Sequence, residues 1–279
     1  TITNGEGAIA VLGQVNFTSS TANQGGSVAS TTISNYIGIT FNPVSSTLYV
    51  ADNSNHRVLV YDVSAITNGE GAIAVLGQVN FTSSTANQGG SVASSTVNLP
   101  WSVTYVTSTN LLYVADANNN RILTYNIASI TNGEGAVSVL GQLDANGSSS
   151  FTQGGVNSPF VGDYGLAAPS KILLDTTNHR LFVADRSNNR VLVFNLNNSN
   201  ELTDYHADNV LGQSDFISGS NNGVASTTLS DFTDMAYDNV SNLLYISDGE
   251  DIRRILVFDV ATITNGEGAI AVLGQVNFT

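Results

Sequence analysis

The chain has 279 residues, of which 42% are hydrophobic and only 11% are charged. Twenty-two acidic residues against eight basic ones give a formal net charge of −14, which argues against binding to nucleic acid or to an anionic membrane surface. The absence of cysteine excludes disulfides, cysteine-bound metals and thiol catalysis, and no apolar run approaches the roughly 18 residues of a membrane span, so no membrane insertion is expected.

Internal repetition dominates the sequence. Residues 2–30 read ITNGEGAIAVLGQVNFTSSTANQGGSVAS and recur letter for letter at 66–94, and a third, diverging copy starts at Ile130. Residues 262–279 repeat residues 1–18. The tripeptide Leu-Gly-Gln therefore occurs at 12–14, 76–78, 140–142, 211–213 and 273–275. Repetition at this spacing indicates a repeat architecture.

A second repeated block lies between successive Leu-Gly-Gln tripeptides, and its first copy is LYVADNSNHRVLVYDV at 48–63. The other copies are at 112–127, 181–196 and 244–260. Two apolar, β-rich runs around a polar turn predict a hairpin. A further strand is predicted before each hairpin, at 37–41, 101–105, 172–174 and 235–237. An outer strand follows each hairpin and ends at Leu-Gly, as at 72–76 in the first unit.

The chain therefore reads as four-stranded units joined by long polar crossover loops, with no sustained helical period. Tandem units of this kind are typical of β-propeller blades. We predict an all-β fold, a single β-propeller of four-stranded antiparallel blades, with about four blades and one surplus terminal strand. The blades are expected at about 35–77, 99–141, 167–212 and 231–274, and the extra outer strand within 1–14.

The pattern L-Y-V-A-D-x-x-N-x-R-V-L-V-Y, followed by V-L-G-Q and a loop with F-T-S and N-Q-G-G, resembles the NHL repeat, in the style of bacterial repeat proteins. The resemblance recurs four times and implies a propeller. Propellers of this family serve in protein binding, in RNA binding and occasionally as metal-dependent enzymes, so the fold does not determine the function.

Propellers of this family commonly have six blades, so four units leave two arrangements open. In the first, the chain is a four-bladed propeller or a piece of a longer array, with a frayed terminus. Alternatively, residues 8–13 and 269–274 compete for the same outermost position in blade four, because their sequences are identical. The unused copy would then pair with a neighbouring subunit, and head-to-tail exchange of this kind builds filaments.

An aspartate and an arginine recur around every hairpin turn. Because the pair is present in every unit, we expect it to stabilise each blade through a charge-assisted hydrogen bond rather than to bind a ligand. The pairs are Asp52 and Arg57, Asp116 and Arg121, Asp185 and Arg190, and Asp248 and Arg254.

No catalytic, cofactor or metal site is predicted. The turn at 116–120 starts like a calcium loop but lacks its glycine and final glutamate. Irregular calcium binding remains an alternative, with Asp175, Asp234 and Asp238 as its acidic candidates. The histidines, His56, His179 and His206, have no metal-binding or triad spacing. A metal-dependent hydrolase or lyase is therefore the least favoured reading.

The composition favours an extracellular or cell-surface setting, so we expect a non-enzymatic scaffold, structural or adhesive. The identical terminal strands add the expectation that it self-associates head to tail through them. The alternative is a receptor that binds a peptide or glycan through the unusual loops 144–164 and 197–208. Phe151, Phe160, Tyr164 and Tyr205 supply aromatic contacts there. Six sequons are candidate glycosylation sites, at Asn16, Asn80, Asn146, Asn197, Asn239 and Asn277.

Overall fold

The computed structural model describes residues 6–220, 223–249 and 252–278. These residues form four four-stranded antiparallel sheets, each with its strands in chain order, and contain no α-helix. This arrangement confirms the predicted all-β fold of four-stranded blades. No helix among the described residues is long and apolar enough to cross a membrane.

The strands of each sheet lie within one predicted unit. Blade 1 contains β1 (Tyr36–Asn42), β2 (Thr47–Asp52), β3 (Arg57–Asp62) and β4 (Ala74–Leu76). Blade 2 contains β5 (Pro100–Val106), β6 (Leu111–Asp116), β7 (Arg121–Asn126) and β8 (Ser138–Leu140). Blade 3 contains β9 (Pro169–Asp175), β10 (Arg180–Asp185), β11 (Arg190–Asn195) and β12 (Asn209–Leu211). Blade 4 contains β13 (Met235–Asp238), β14 (Leu243–Asp248), β15 (Arg254–Asp259) and β16 (Ala271–Leu273).

The innermost strands of the four blades converge on a shared cavity. Its volume is about 220 Å³. It is lined by Ile37, Gly38, Trp101, Ser102, Ser170, Lys171, Thr233 and Asp234, two residues from each blade. The blades are thus arranged around one axis, as the propeller prediction requires.

The hydrophobic core lies between consecutive blades. Tyr49 and Val58 of blade 1 pack in one cluster with Val103 and Leu112 of blade 2. Equivalent clusters join blades 2 and 3 and blades 3 and 4. Side chains alternate between the two faces of a strand, so a blade that is covered on both sides buries both sets. This explains the nearly continuous apolar runs of the central hairpins.

The stacking does not close on itself. The described residues contain no core cluster that joins blade 4 to blade 1. The outward side of blade 1 instead forms a small cluster of its own, in which Val50 and Leu59 pack with Leu12 and Ile33 from the segment before the blade. One face of blade 4 and part of one face of blade 1 therefore remain open to solvent.

The predicted surplus strand is absent from the part of 1–14 that the structure describes. Residues 6–14 form no strand, and β16 of the same chain fills the outermost position of blade 4. Residues 1–5 lie outside the described residues. The physical reason is that a strand needs a neighbouring strand to pair with, and residues 8–13 have none. The backbone of Val11 bonds instead to the Asn68 side chain and the Gly69 amide of blade 1.

Candidate functional site

Each predicted Asp–Arg pair forms a buried contact at the closing end of its hairpin. The Arg Nε lies 2.8 Å from the aspartate Oδ2 in blade 1 and 2.7 Å from it in the other three blades. The paired side chains are at most 1% exposed. Because the Asp and Arg positions face each other in the register of the hairpin, the strand pairing itself brings the charges together.

The rest of each guanidinium holds the crossover loops. Arg57 Nη1 donates to the Phe81 carbonyl at 2.6 Å, and Nη2 donates to the carbonyls of Ala29 and Thr32 at 3.0 and 2.7 Å. Asp52 Oδ1 accepts the Ser34 amide at 3.0 Å. The other three blades repeat both the arginine contacts and the aspartate contact. Each pair therefore clamps the loop that enters its blade and the loop that leaves it.

Desolvation is the main electrostatic cost of these clamps. Burial raises the pKa of Asp116 and of Asp185 above the ordinary aspartate value, although the partner arginines and further hydrogen bonds oppose the shift. The charged pairs are thus maintained by several donors at once, and the loss of one partner would leave a buried charge uncompensated.

Two further repeated side chains belong to the clamps, and the sequence analysis missed them. Asn55 donates to Asp52 Oδ2 at 2.8 Å and bonds reciprocally with Asn23 of the entering loop. Gln78, the last residue of a Leu-Gly-Gln tripeptide, donates to the carbonyls of His56 and Thr85, both at 2.9 Å. The available signal was their recurrence, since an asparagine lies two residues before the arginine in blades 1 to 3 and a glutamine ends every Leu-Gly-Gln tripeptide.

The candidates for metal binding lie apart from one another. His56 Nδ1 accepts the Leu99 amide, His179 contacts Asn200, and His206 lies 3.0 Å from Asp163.

The acidic candidates also have separate partners: Asp175 bonds to Arg180, Asp234 to Lys171, and Asp238 to Ser241. Burial alone would raise the pKa of Asp175, but hydrogen bonds from Asn178, Arg180 and Tyr237 hold it below its ordinary value. No group of three acidic or histidine side chains suited to a metal ion occurs among the described residues.

The structure brings the two unusual loops together. The backbone carbonyl of Asp163 accepts the Ala207 amide at 2.7 Å, and the Asp163 carboxylate contacts His206. Tyr164 stands edge-on to both Phe160 and His206, with ring centroids 5.8 and 5.6 Å away. An adjoining cavity of about 410 Å³ is lined by Leu143, Asp144, Ala145, Gly147, Gln153, Ser158, Pro159 and Tyr164.

All six sequon asparagines are exposed, and their glycosylation remains a prediction.

The open side of blade 4, here called the forward face, consists of Tyr245, Ser247, Ile255 and Leu273. Ile255 is 39% and Leu273 48% exposed, whereas the equivalent Val58 and Leu76 of blade 1 are 0% exposed. A cleft of about 360 Å³ lies beside these residues, between the hairpin turn and β16.

The open side of blade 1, here called the rear face, consists of Ile39, Phe41 and the half-buried Leu48, whereas Val50 beside them is covered by Leu12 and Ile33. Ile39 is 62% and Phe41 48% exposed. Their blade 2 equivalents, Val103 and Tyr105, are 4% and 8% exposed because they pack against blade 1. The forward and rear faces are thus the two halves of an interface that the molecule makes three times internally.

Four antiparallel blades around one axis, each clamped in the same way, define a propeller-type repeat scaffold. The family model of the NHL repeat matches residues 97–125, which cover β5, β6 and nearly all of β7. The match confirms the resemblance at the second repeat and is consistent with an NHL-repeat family. A search of curated proteins found no match.

Proposed function

We propose that this protein is a non-enzymatic, extracellular or cell-surface repeat scaffold, structural or adhesive, whose copies associate head to tail. The forward face of blade 4 in one copy packs on the rear face of blade 1 in the next. The observation that carries the proposal is the exposure of these two faces, since their equivalents are buried against each other at all three internal interfaces.

The residue types of the two faces support this partner. Ile255 and Leu273 of the forward face keep the residue types of Val58 and Leu76, and Ile39 and Phe41 keep the apolar character of Val103 and Tyr105. Heterologous contacts of this kind leave one free face at each end, so they extend into filaments unless the rotation closes a ring. Exposed apolar patches of this kind mark association surfaces.

One position differs between the internal interfaces and the proposed one. His56, Asn120 and Asn189 each accept a backbone amide of the next blade, from Leu99, Ala168 and Asp231. Blade 4 has Arg253 at this position. A guanidinium cannot accept a hydrogen bond, so this contact must differ in the docked pair.

Sedimentation velocity across a wide protein concentration range, combined with electron microscopy, tests the proposal. The wild-type protein is expected to form dimers and longer head-to-tail chains as its concentration rises. Ile255→Asp is expected to weaken association by about 100-fold or more, because it places an unpaired carboxylate against an apolar face.

Val240→Asp is the matched control, since Val240 is 88% exposed on the β13–β14 turn of the same blade. It should associate like the wild type. A protein that stays monomeric at every concentration, or an Ile255→Asp variant that associates like the wild type, would contradict head-to-tail docking.

The second candidate function is reception of a peptide or glycan by the joined loops 144–164 and 197–208. The observation in its favour is the aromatic group of Phe160, Tyr164 and His206 beside a cavity. Phe160 is 61% exposed and can be replaced without disturbing the core. Binding to peptide and glycan arrays that is lost in Phe160→Ala would support this function, and arrays without any binding would contradict it.

A further inference from the structure

Residues 6–15, here called the N-terminal segment, occupy the position on blade 1 that a docked neighbour needs. We propose that this segment is an intramolecular substitute for β16 of a second copy, and that head-to-tail association replaces the segment with β16. The inference rests on the proposed function, and it names how that association is regulated.

The contacts of the segment reproduce those of outer strands inside the molecule. Val11 N donates to Asn68 Oδ1 at 3.1 Å, and Gly69 N donates to the Val11 carbonyl at 2.9 Å. At the interface of blades 1 and 2, Val75 of β4 makes the same two bonds with Asn132 and Gly133, at 3.0 and 3.1 Å.

The interface of blades 3 and 4 repeats the arrangement. Val210 of β12 bonds with Asn265 and Gly266 at 3.0 and 3.3 Å. The glycines of the three turns, Gly69, Gly133 and Gly266, also approach equivalent residues closely. A methyl group added to Gly69, Gly133 or Gly266 would lie 3.4, 3.2 or 3.1 Å from the Cα of Val15, Val79 or Ser214. The N-terminal segment is therefore seated as the outer strand of a preceding blade would be.

The terminal glutamines show the two complementary halves of one contact. Inside the chain, Gln78 joins the hairpin turn of its blade, at His56, to the crossover loop, at Thr85. Gln14 donates to the loop at Thr21, and the described residues contain no blade turn beside it. Gln275 donates to the turn of blade 4, at Ile252. With β16 seated on blade 1 of a second copy, Gln275 would have both kinds of partner. The turn partner is Ile252 of its own blade 4, and the loop partner is Thr21 of the second copy.

The exchange is nearly balanced in its local contacts, because residues 6–15 and 267–276 have identical sequences. The two segments differ in the further contacts that accompany each of them onto blade 1. β16 is paired to β15 and arrives with the whole forward face of blade 4, whereas the N-terminal segment arrives alone. The segment has the advantage of a high effective concentration, so it lowers the apparent affinity between copies without abolishing association.

The two identical copies supply a matched pair of variants with opposite expected effects. Leu12 packs against the rear side of blade 1, and Leu273 is its equivalent in β16. Leu12→Asp should release the N-terminal segment and tighten association by roughly fivefold or more, the effect of losing one half-buried leucine contact. Leu273→Asp should weaken association by a similar or larger factor.

Association constants from sedimentation velocity, with circular dichroism to confirm that each variant is folded, decide between the outcomes. Association of Leu12→Asp that is measurably tighter than that of the wild type supports the exchange. If the wild type associates and Leu12→Asp associates equally or more weakly, the exchange is wrong while head-to-tail docking stands. If neither protein associates, both proposals are wrong.

Discussion

At the scale of single residues, one position in the hairpin turn connects each blade to the next. His56, Asn120 and Asn189 all adopt left-handed backbone conformations there and accept an amide of the following blade. His56 Nδ1 accepts the Leu99 amide at 3.1 Å and must be unprotonated to do so. Burial lowers the pKa of His56 below its ordinary value. The chain therefore contains one pH-sensitive link and two insensitive versions of it.

We expect His56→Asn to remove part of the pH dependence of stability. Below a pH of about 6.5 the unfolded chain binds a proton at His56 that the folded chain does not, so the free energy of unfolding falls as the pH is lowered. The slope from this one group cannot exceed about 1.4 kcal/mol per pH unit. Urea unfolding of both proteins between pH 7 and 5 measures the difference. Parallel curves for the two proteins would show that His56 does not titrate in this way.

The clamps give a second prediction at this scale. Arg121→Met leaves the Asp116 carboxylate and three loop carbonyls buried without their donor, so it should cost about 3–5 kcal/mol of unfolding free energy. Lys171→Met, which removes the half-exposed partner of Asp234, should cost about 1 kcal/mol or less. Chemical denaturation of both variants compares them, and equal losses would contradict the structural role of the clamp.

At the scale of the element, the glycine of Leu-Gly-Gln joins the end of an outer strand to the entrance of the next unit. Gly77 has φ of +84°, and a methyl group added there would lie 2.3 Å from a Val97 methyl carbon. Gly141 and Gly212 meet Leu166 and Leu229 in the same way, at 2.5 Å in each case. The tripeptide therefore needs glycine both for its backbone conformation and for close packing.

Gly77→Ala should destabilise the protein more than Gly147→Ala does. Gly147 has a similar φ of +78° but nothing within 4 Å of an added methyl group, so its replacement costs only the left-handed conformation, about 1–2 kcal/mol. Gly77→Ala adds an overpacking cost of roughly 1–3 kcal/mol. Thermal and chemical unfolding of the two variants separates the terms. Equal destabilisation would mean that Val97 moves aside freely.

At the scale of the whole molecule, charge opposes the association that the open faces favour. Each copy has a formal net charge of −14, so two copies repel each other. The forward and rear faces are mainly apolar, and contact between apolar surfaces is not weakened by screening. The balance between the two effects should therefore depend on ionic strength.

We expect head-to-tail association to tighten severalfold when sodium chloride is raised from about 0.05 M to about 0.5 M, as the screening length falls from more than 10 Å to a few ångströms. Val240→Asp should follow the same trend as the wild type. Sedimentation velocity at several salt concentrations measures the effect. Weaker association at high salt would indicate that ion pairs, for instance at Arg253, hold the copies together instead.

The sequence alone determined the repeat, the strand order of each blade and the Asp–Arg pairs, because these depend on local alternation and on the register of short hairpins. It also indicated that the pairs serve each blade. It did not identify Asn55 or Gln78 as members of the clamp, since their partners lie in loops whose paths are not local. The contact of Asp163 with His206 joins residues far apart in the chain, and only packing could bring it about.

The two copies of the terminal sequence show the division most clearly. Residues 8–13 and 269–274 are identical, and the sequence predicted a strand at both. Residues 271–273 form β16 because β15 lies beside them, whereas residues 8–13 have no strand to pair with and bond to the Asn68–Gly69 turn. Which copy becomes a strand, and which blade faces stay open, was decided by the tertiary structure, because a β-ladder requires a neighbour that only the fold provides.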